Sequence, residues 1–384
     1  MVAKRVSEIP FSGIRKFFEL VEQSKGIVSL GVGEPDFNTP RPISDAGIRA
    51  IEAGYTSYTS NWGLLDLRAK IAEKLKVENG LHYSPENEVL ITAGTSEALD
   101  LAFRALINPG DEVLVPEPSY VSYKPCVWFA YGTPVAVPMR EENDFRVQED
   151  DLRKKITKKT KAIIVASPNN PTGSVLTKKD LKAIAAVAQE HDLWVISDEL
   201  YEYLIYDGEK HVSIGSFPGM RERTITINGF SKGHAFTGWR IGYAAGPAEV
   251  TELMMKIHQY TMLCAPTIAQ HAALAAFNCK KEVKAMQEEY DRRRRLLVAG
   301  LNELPGVTCR MPKGAFYTFP NITGTGMDSE TFAQRLVKEA QVAVVPGHTF
   351  GQTGEGHVRC SYSVSRDIIT EALSRMQKFL AKKV

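Results

Sequence analysis

One lysine stands where an ammonium is expensive to keep. Lys232 lies in NGFSKGHAFTGWRIGY, Asn228 to Tyr243, directly behind the β-like run RTITI. Its neighbours Asn228, Gly229, Ser231 and Gly233 are small or polar and leave space beside the amine. A lysine desolvated near other cations loses its proton readily and becomes a nucleophile that forms a Schiff base with an aldehyde. Arg240, in GWR, offers such a charge together with a planar fork suited to phosphate. A phosphate-bearing aldehyde would satisfy both residues, whereas a plain surface lysine after a strand would call for neither.

Asp198, in VISDELY, closes an apolar run, and a carboxylate there is costly unless it meets a cation. Alone it reads as a helix N-cap or the partner of an arginine. Beside Lys232 it fits the acid that keeps a pyridine nitrogen protonated and so makes the ring an electron sink. Tyr201, in the same stretch, could place a phenol near a ring hydroxyl, or simply pack. In ITAGTSEAL the backbone N–H groups around Gly94, Thr95 and Ser96 open a helix and face where an anion would sit, although Thr and Ser also serve as ordinary N-caps. SPNNPTG sets Asn170 before a proline, which presents its amide from a rigid turn. GVGEP, Gly31 to Pro35, lacks the third glycine of a dinucleotide motif, and its proline interrupts the required helix.

These residues need elements to hold them. From Glu88 onward, short apolar runs, turns rich in Gly, Pro, Ser or Asn, and amphipathic stretches alternate: EVLITAG, DEVLVPEP, KAIIVAS, DLWVISDELY and RTITIN. The pattern predicts a mostly parallel sheet with helices on both faces, whose ligands sit beyond the carboxyl ends of the strands. After Pro266 the texture becomes that of a smaller α+β unit, with a long helix through EVKAMQEEYDRRRRLLVAGLNEL. Arg292 to Arg295 fall inside that helical pattern and read as a solvated face with i,i+4 partners, not a nucleic-acid patch.

A chain of 384 residues, 43% hydrophobic and 24% charged, is long enough for two domains, and its formal net charge of +2 calls for neither nucleic acid nor an anionic membrane. Small-molecule chemistry is the expectation. Five scattered cysteines without a C-x-x-C pair predict buried thiols in a reducing compartment. No stretch has the length of apolar residues that a membrane span needs, and no apolar core follows the N-terminus as in a signal peptide, so a cytoplasmic protein is expected.

Taken together, SPNNPTG, SDELY, SK followed by GWR, and HVRCSYS resemble the class I and II aminotransferases (transaminases) of fold type I, which use pyridoxal 5′-phosphate. The resemblance runs from LGVGEPDF to HVRCSYS, and its nearest pattern is the branch of archaeal aromatic or broad-specificity and thermophile-type aspartate aminotransferases. It implies an α/β large domain over 44–281, with a mostly parallel seven-stranded sheet between helices, and a smaller α+β domain from 1–43 and 282–384 carrying an N-terminal lid segment. Carried over, Lys232 would bind the cofactor covalently and, once displaced, shuttle the substrate's Cα proton. Asp198 would pair with the pyridinium, Tyr201 and Asn170 would bond the ring oxygen, and Tyr120 would stack on the ring. Arg240, Ser231 and the Gly94, Thr95, Ser96 turn would hold the phosphate. Arg359 would grip the substrate α-carboxylate, assisted by Gly33. Tyr58 would reach the partner's phosphate in an obligate homodimer with two shared sites.

Two departures from the family pattern bear on specificity. Gly229 stands where many relatives carry a phosphate-binding serine, and Thr95 stands where thermophile aspartate enzymes carry a lysine that reads the distal carboxylate. His234 has no counterpart role. The lid FSGIRKFFELV, with Phe11, Ile14 and Phe17 lining the site, suits aromatic or bulky donors with 2-oxoglutarate as acceptor in a ping-pong transfer. Alternatives are aspartate transfer, a carbon–sulfur lyase, and a non-catalytic cofactor-binding regulator. The last usually adds a DNA-binding domain, for which a family pattern starting at once leaves no room.

Overall fold

The computed structural model describes residues 2–11, 13–14 and 26–381. After the short strand β1 (Val28–Ser29), seven strands make one sheet: β2 (Val89–Thr92), β3 (Glu112–Glu117), β4 (Thr133–Pro138), β5 (Thr160–Ala166), β6 (Trp194–Asp198), β7 (Thr224–Gly229) and β8 (Gly242–Ala245). Their spatial order is β2-β8-β7-β6-β5-β3-β4, and only β8 runs against its neighbours. Alternate residues of β5 feed opposite cores, Ile163 and Val165 on one face and Ala162 and Ile164 on the other. That explains strands apolar at every position: both faces are covered by helices. Strand β4, in TPVAVP, and the four-residue β8 are the members that the sequence pattern did not single out.

Outside that sheet lie β9 (Tyr317–Thr318), β10 (Val342–Ala343), β11 (Val345–Pro346) and β12 (Val358–Ser361), in the order β11-β12-β9, while β10 pairs in parallel with β1. Leu30 N–H donates to Ala343 O at 2.8 Å and Ser361 N–H to Leu30 O at 2.6 Å. The segment behind β1, with Gly31 and Gly33, is thereby laid beside Arg359 on β12.

The helix Lys280–Asn302 corrects the reading of its arginines. Its buried stripe, Val283, Met286, Tyr290, Leu297, Val298 and Leu301, has the helical period, and positions 293 and 294 fall on it. Arg293 and Arg294 are buried, and only Arg292 and Arg295 face solvent. Arg293 grips both carboxylate oxygens of Asp36, at 2.8 and 2.9 Å. Arg294 holds Asp207 at 2.7 and 3.0 Å and lies 4.5 Å over the Tyr206 ring. A run of charge looked solvated because periodicity counts apolar side chains, whereas a guanidinium satisfied by a carboxylate can occupy a core stripe. Of the cysteines, Cys279, Cys309 and Cys360 are buried as expected and Cys126 and Cys264 are half-buried; all are free thiols. No helix among the described residues is long and apolar enough to cross a membrane.

Candidate active site

A cavity of about 1380 Å³ opens beyond the carboxyl ends of the large sheet's parallel strands. The carboxyl ends of β2, β3, β5, β6 and β7 and the turns after them contribute Thr95 and Ser96, Tyr120, Asn170, Asp198 and Tyr201, and Ser231 and Lys232 to its wall, with Gly33, Arg240 and Arg359. Strands 4.7–4.9 Å apart are what allow residues more than 100 positions apart in sequence to share one space.

Lys232 is half-buried, and its Nζ donates to Gly33 O at 2.7 Å. Burial lowers its amine to about 8, against the pull of Glu34 and with help from the charges of Arg359 and Arg240. Asp198 accepts from the Tyr123 hydroxyl at 2.7 Å and from Leu200 N–H at 3.2 Å. Desolvation still pushes its carboxyl above the usual range. The Tyr201 hydroxyl meets that of Tyr317 at 2.9 Å, and burial raises both phenols.

Arg359 is almost wholly enclosed. Its Nη1 donates to Asn170 Oδ1 at 3.0 Å and its Nη2 to Gly31 O at 2.7 Å, while Nε has no partner. The guanidinium lies 4.5 Å over the Tyr317 ring. A buried N–H without an acceptor is a costly vacancy that a substrate carboxylate can fill.

At the opposite end, the helix Thr95–Leu106 begins at Gly94, whose φ of 85° suits glycine. A Cβ there would stand 2.5 Å from Arg240 Nη2, and one on Gly242 2.6 Å from Thr95 N. Neither Thr95 N–H nor Ser96 N–H has an acceptor among the described residues. Two free amides at the start of a three-turn helix, beside an arginine, make an anion cradle.

The expected residues are therefore together, with one exception. Tyr58 is 79% exposed and outside this chain's cavity. Phe11 and Ile14 line the cavity as expected, while Phe17 lies outside the described residues. His234 is buried behind the lysine, in edge contact with the Tyr203 ring at 5.6 Å. Sequence reasoning missed Tyr123 and Tyr317. Both sit in aromatic-rich runs, SYVSYKP and GAFYTFP, where a tyrosine looks like packing, and nothing short of tertiary placement distinguishes them.

A sequence model of the family described as Aminotransferase class I and II matches residues 25–376. The chain is 47% identical to aromatic-amino-acid aminotransferase 2 of Thermococcus litoralis, covering 100% of this chain and 99% of the relative. It is 48% identical to an aspartate aminotransferase of Pyrococcus abyssi over the same shares of both chains. Among solved structures, an aromatic aminotransferase from Pyrococcus horikoshii superposes with a TM-score of 0.92 at 48% identity, covering 96% of this chain and 99% of that one.

Proposed function

This chain belongs to the class I and II aminotransferases, and from that premise we propose that its donors are amino acids with aromatic or large apolar side chains, with 2-oxoglutarate as acceptor. The protein transfers the amino group of an amino acid to a 2-oxo acid with pyridoxal 5′-phosphate as cofactor. Its residues fit that cofactor: the free Thr95 and Ser96 amides beside Arg240 suit a phosphate, and the depressed Lys232 amine suits an aldehyde. When bound, the group supplies an electron sink for the pair left at the donor's Cα.

In this reading the chain's own residues divide the work. Thr95, Ser96, Ser231 and Arg240 hold the phosphate, and Gly94 keeps the cradle clear. Asp198, aimed by Tyr123, holds a proton at the pyridine nitrogen. Tyr201 and Asn170 donate to the ring oxygen, and Tyr120 covers the ring face. Arg359 fixes the donor's α-carboxylate, which positions Cα, and Lys232 Nζ, once free, takes the Cα proton and returns it. Two substrates share the site in turn, the pattern of a ping-pong reaction.

The observation that carries the donor assignment is the apolar part of the cavity lining. Val6, Ile9, Phe11, Ile14, Leu99 and Phe129 line it, and the described cations at the cavity are Lys232, Arg240 and Arg359, each already given a task. Position 95 is threonine, so nothing cationic waits there for a distal carboxylate. Pocket contacts of this kind discriminate by roughly 1–3 kcal/mol each.

The same reading includes a cytoplasmic homodimer, with the large domain over 44–281 and the small domain from 1–43 and 282–384. Exposed Tyr58 supports it. Asn61 Nδ2 donates to Leu263 O at 2.6 Å, and Met262 and Leu263 are themselves 46% and 40% exposed. The segment that carries the tyrosine is thus tied to a second segment with exposed apolar side chains, as a subunit boundary would require. Comparing kcat/KM for phenylalanine, aspartate and alanine with 2-oxoglutarate tests the assignment. Phenylalanine should lead aspartate by about ten-fold or more, and a lead for aspartate would overturn it.

A further inference from the structure

Two phenols at the cavity share one hydrogen bond and hold two protons. The Tyr201 and Tyr317 hydroxyls meet at 2.9 Å, either can donate to the other, and among the described residues neither oxygen has a further partner. Both side chains are buried, Tyr317 almost completely. Burial raises both phenols, opposed at each by Arg359 and reinforced by Asp198 at Tyr201 and by Tyr120 at Tyr317, so each keeps its proton at pH 7. One proton makes the mutual bond, and the other is left to donate.

Position decides which phenol does which. Tyr201 stands in the turn behind β6, beside Asp198, and donates to the cofactor's ring oxygen in the reading proposed above. Tyr317 stands toward the donor's α-carboxylate: the Arg359 guanidinium lies 4.5 Å over its ring, and a Cβ on Gly33 would stand 2.8 Å from its hydroxyl oxygen. Its strand is pinned from two sides. Tyr317 pairs with Ser361 of β12, and the Tyr206 and Tyr362 hydroxyls both donate to Ala315 O, at 2.6 and 3.0 Å. Phe316 and Tyr317 meet the Tyr201 ring edge-on at 5.4 and 5.9 Å, but of the two only Tyr317 reaches its oxygen. A hydroxyl held on a fixed strand sets the direction of the group it bonds.

We propose that Tyr317 is a positioning residue for the cofactor: it donates to the Tyr201 oxygen, so that the single Tyr201 proton is directed at the ring oxygen. A hydroxyl that accepts a bond becomes a stronger donor, by roughly 10–30% per bond. The Arg359 cation over the Tyr317 ring draws electron density from its hydroxyl and favours donation in that sense. The inference rests on the assignment of Tyr201 to the ring oxygen and names the group that enforces it.

The test reads the absorbance of cofactor-loaded enzyme against pH with no substrate present. A donor at the ring oxygen stabilises negative charge there and lowers the pH at which the lysine-bound cofactor changes colour, so removing a donor raises that midpoint. Tyr201→Phe should raise it by about one pH unit or more, because a hydrogen bond to a charged group is lost. Tyr317→Phe keeps the ring beneath Arg359 and should raise the midpoint by about 0.2 unit. Adding Tyr317→Phe to Tyr201→Phe should shift it no further, because Tyr317 acts only through Tyr201. A crystal of the loaded parent, which depends on no variant, should keep the two hydroxyl oxygens within hydrogen-bond distance. If Tyr201→Phe moves the midpoint and Tyr317→Phe does not, or if Tyr317→Phe moves it equally in both backgrounds, the inference is overturned while the Tyr201 assignment stands. If Tyr201→Phe moves nothing, both fall. Oxygens parted in the loaded crystal would overturn the inference as well.

Discussion

Tyr123 donates its hydroxyl proton to Asp198 Oδ2 at 2.7 Å, linking the first turn of the helix Tyr123–Phe129 to the end of β6. The contact opposes desolvation, which raises the Asp198 carboxyl, so it helps keep that group ionised. Tyr123→Phe removes the donor and should raise the carboxyl further. The acid limb of kcat/KM against pH should then move to higher pH, with kcat about ten-fold lower, since a hydrogen bond to a charged group is worth roughly 1.5–3 kcal/mol. A pH profile identical to that of the parent would show that Tyr123 only packs.

Lys232 makes a second prediction, on stability. Its amine falls from the ordinary 10.5 to about 8 when the cofactor-free chain folds. Between those values the unfolded chain binds more protons than the folded one, so stability rises with pH across that window. Below about 8 the folded state carries the full cost of a desolvated ammonium. Lys232→Met should therefore stabilise the cofactor-free protein at pH 7 by on the order of 2 kcal/mol after discounting cavity water. The gain should fade as pH rises toward 10.5. Denaturant melts at pH 7 and pH 10 measure it, and a destabilised variant at pH 7 would contradict the account.

Much of this was legible in the sequence because Lys232, Asp198 and Asn170 are polar residues at or just beyond the ends of apolar runs, where polarity is expensive, whereas Arg359, inside HVRCSYS, was reached only through the family resemblance. The sheet was legible for the same reason, through runs such as KAIIVA. Tyr123 and Tyr317 were not, because a phenol serves equally well as packing, and its hydrogen bond is made across the fold. The i,i+4 partners of the arginine run were legible, as Arg293 with Glu289 and Arg295 with Asp291, but the burial of Arg293 and Arg294 was not, because the acids that draw them inward, Asp36 and Asp207, are distant in sequence. The amide donors of Thr95 and Ser96 belong to the backbone, and they were legible only through the strand, turn and helix start in ITAGTSEAL.

Arg359 anchors the third prediction. Lysine keeps the charge but cannot hold Asn170 and Gly31 together or present a fork to a carboxylate. Arg359→Lys should lower kcat/KM by about a hundred-fold, the scale of truncating a buried charged contact, roughly 2–5 kcal/mol. The loss should be similar for phenylalanine, aspartate and alanine, because all share the α-carboxylate. A loss confined to one donor would place Arg359 at the side chain instead.

The fourth concerns the ion pair between the helix Lys280–Asn302 and the loop that carries Asp207. Arg294 holds Asp207 well below the usual carboxylate range, assisted by Lys313. Removing one member of a buried pair costs about 3–5 kcal/mol, so Arg294→Met should lower the melting temperature by several degrees at pH 7. Stability from a depressed carboxyl is present above its unfolded value of 3.8 and is lost as pH falls through the folded one. The gap between variant and parent should accordingly narrow below about pH 4, and a gap that widens there would contradict the pairing.

The most direct test of the central claim uses cofactor-loaded enzyme and phenylalanine with no 2-oxo acid present. Absorbance of the cofactor and release of product are recorded together. An aminotransferase with an aromatic donor must convert its cofactor to the amine form and release one phenylpyruvate per subunit, then stop. Lys232→Ala should do neither. Continued product formation without an acceptor, or no conversion with phenylalanine where aspartate converts the cofactor fully, would contradict the account.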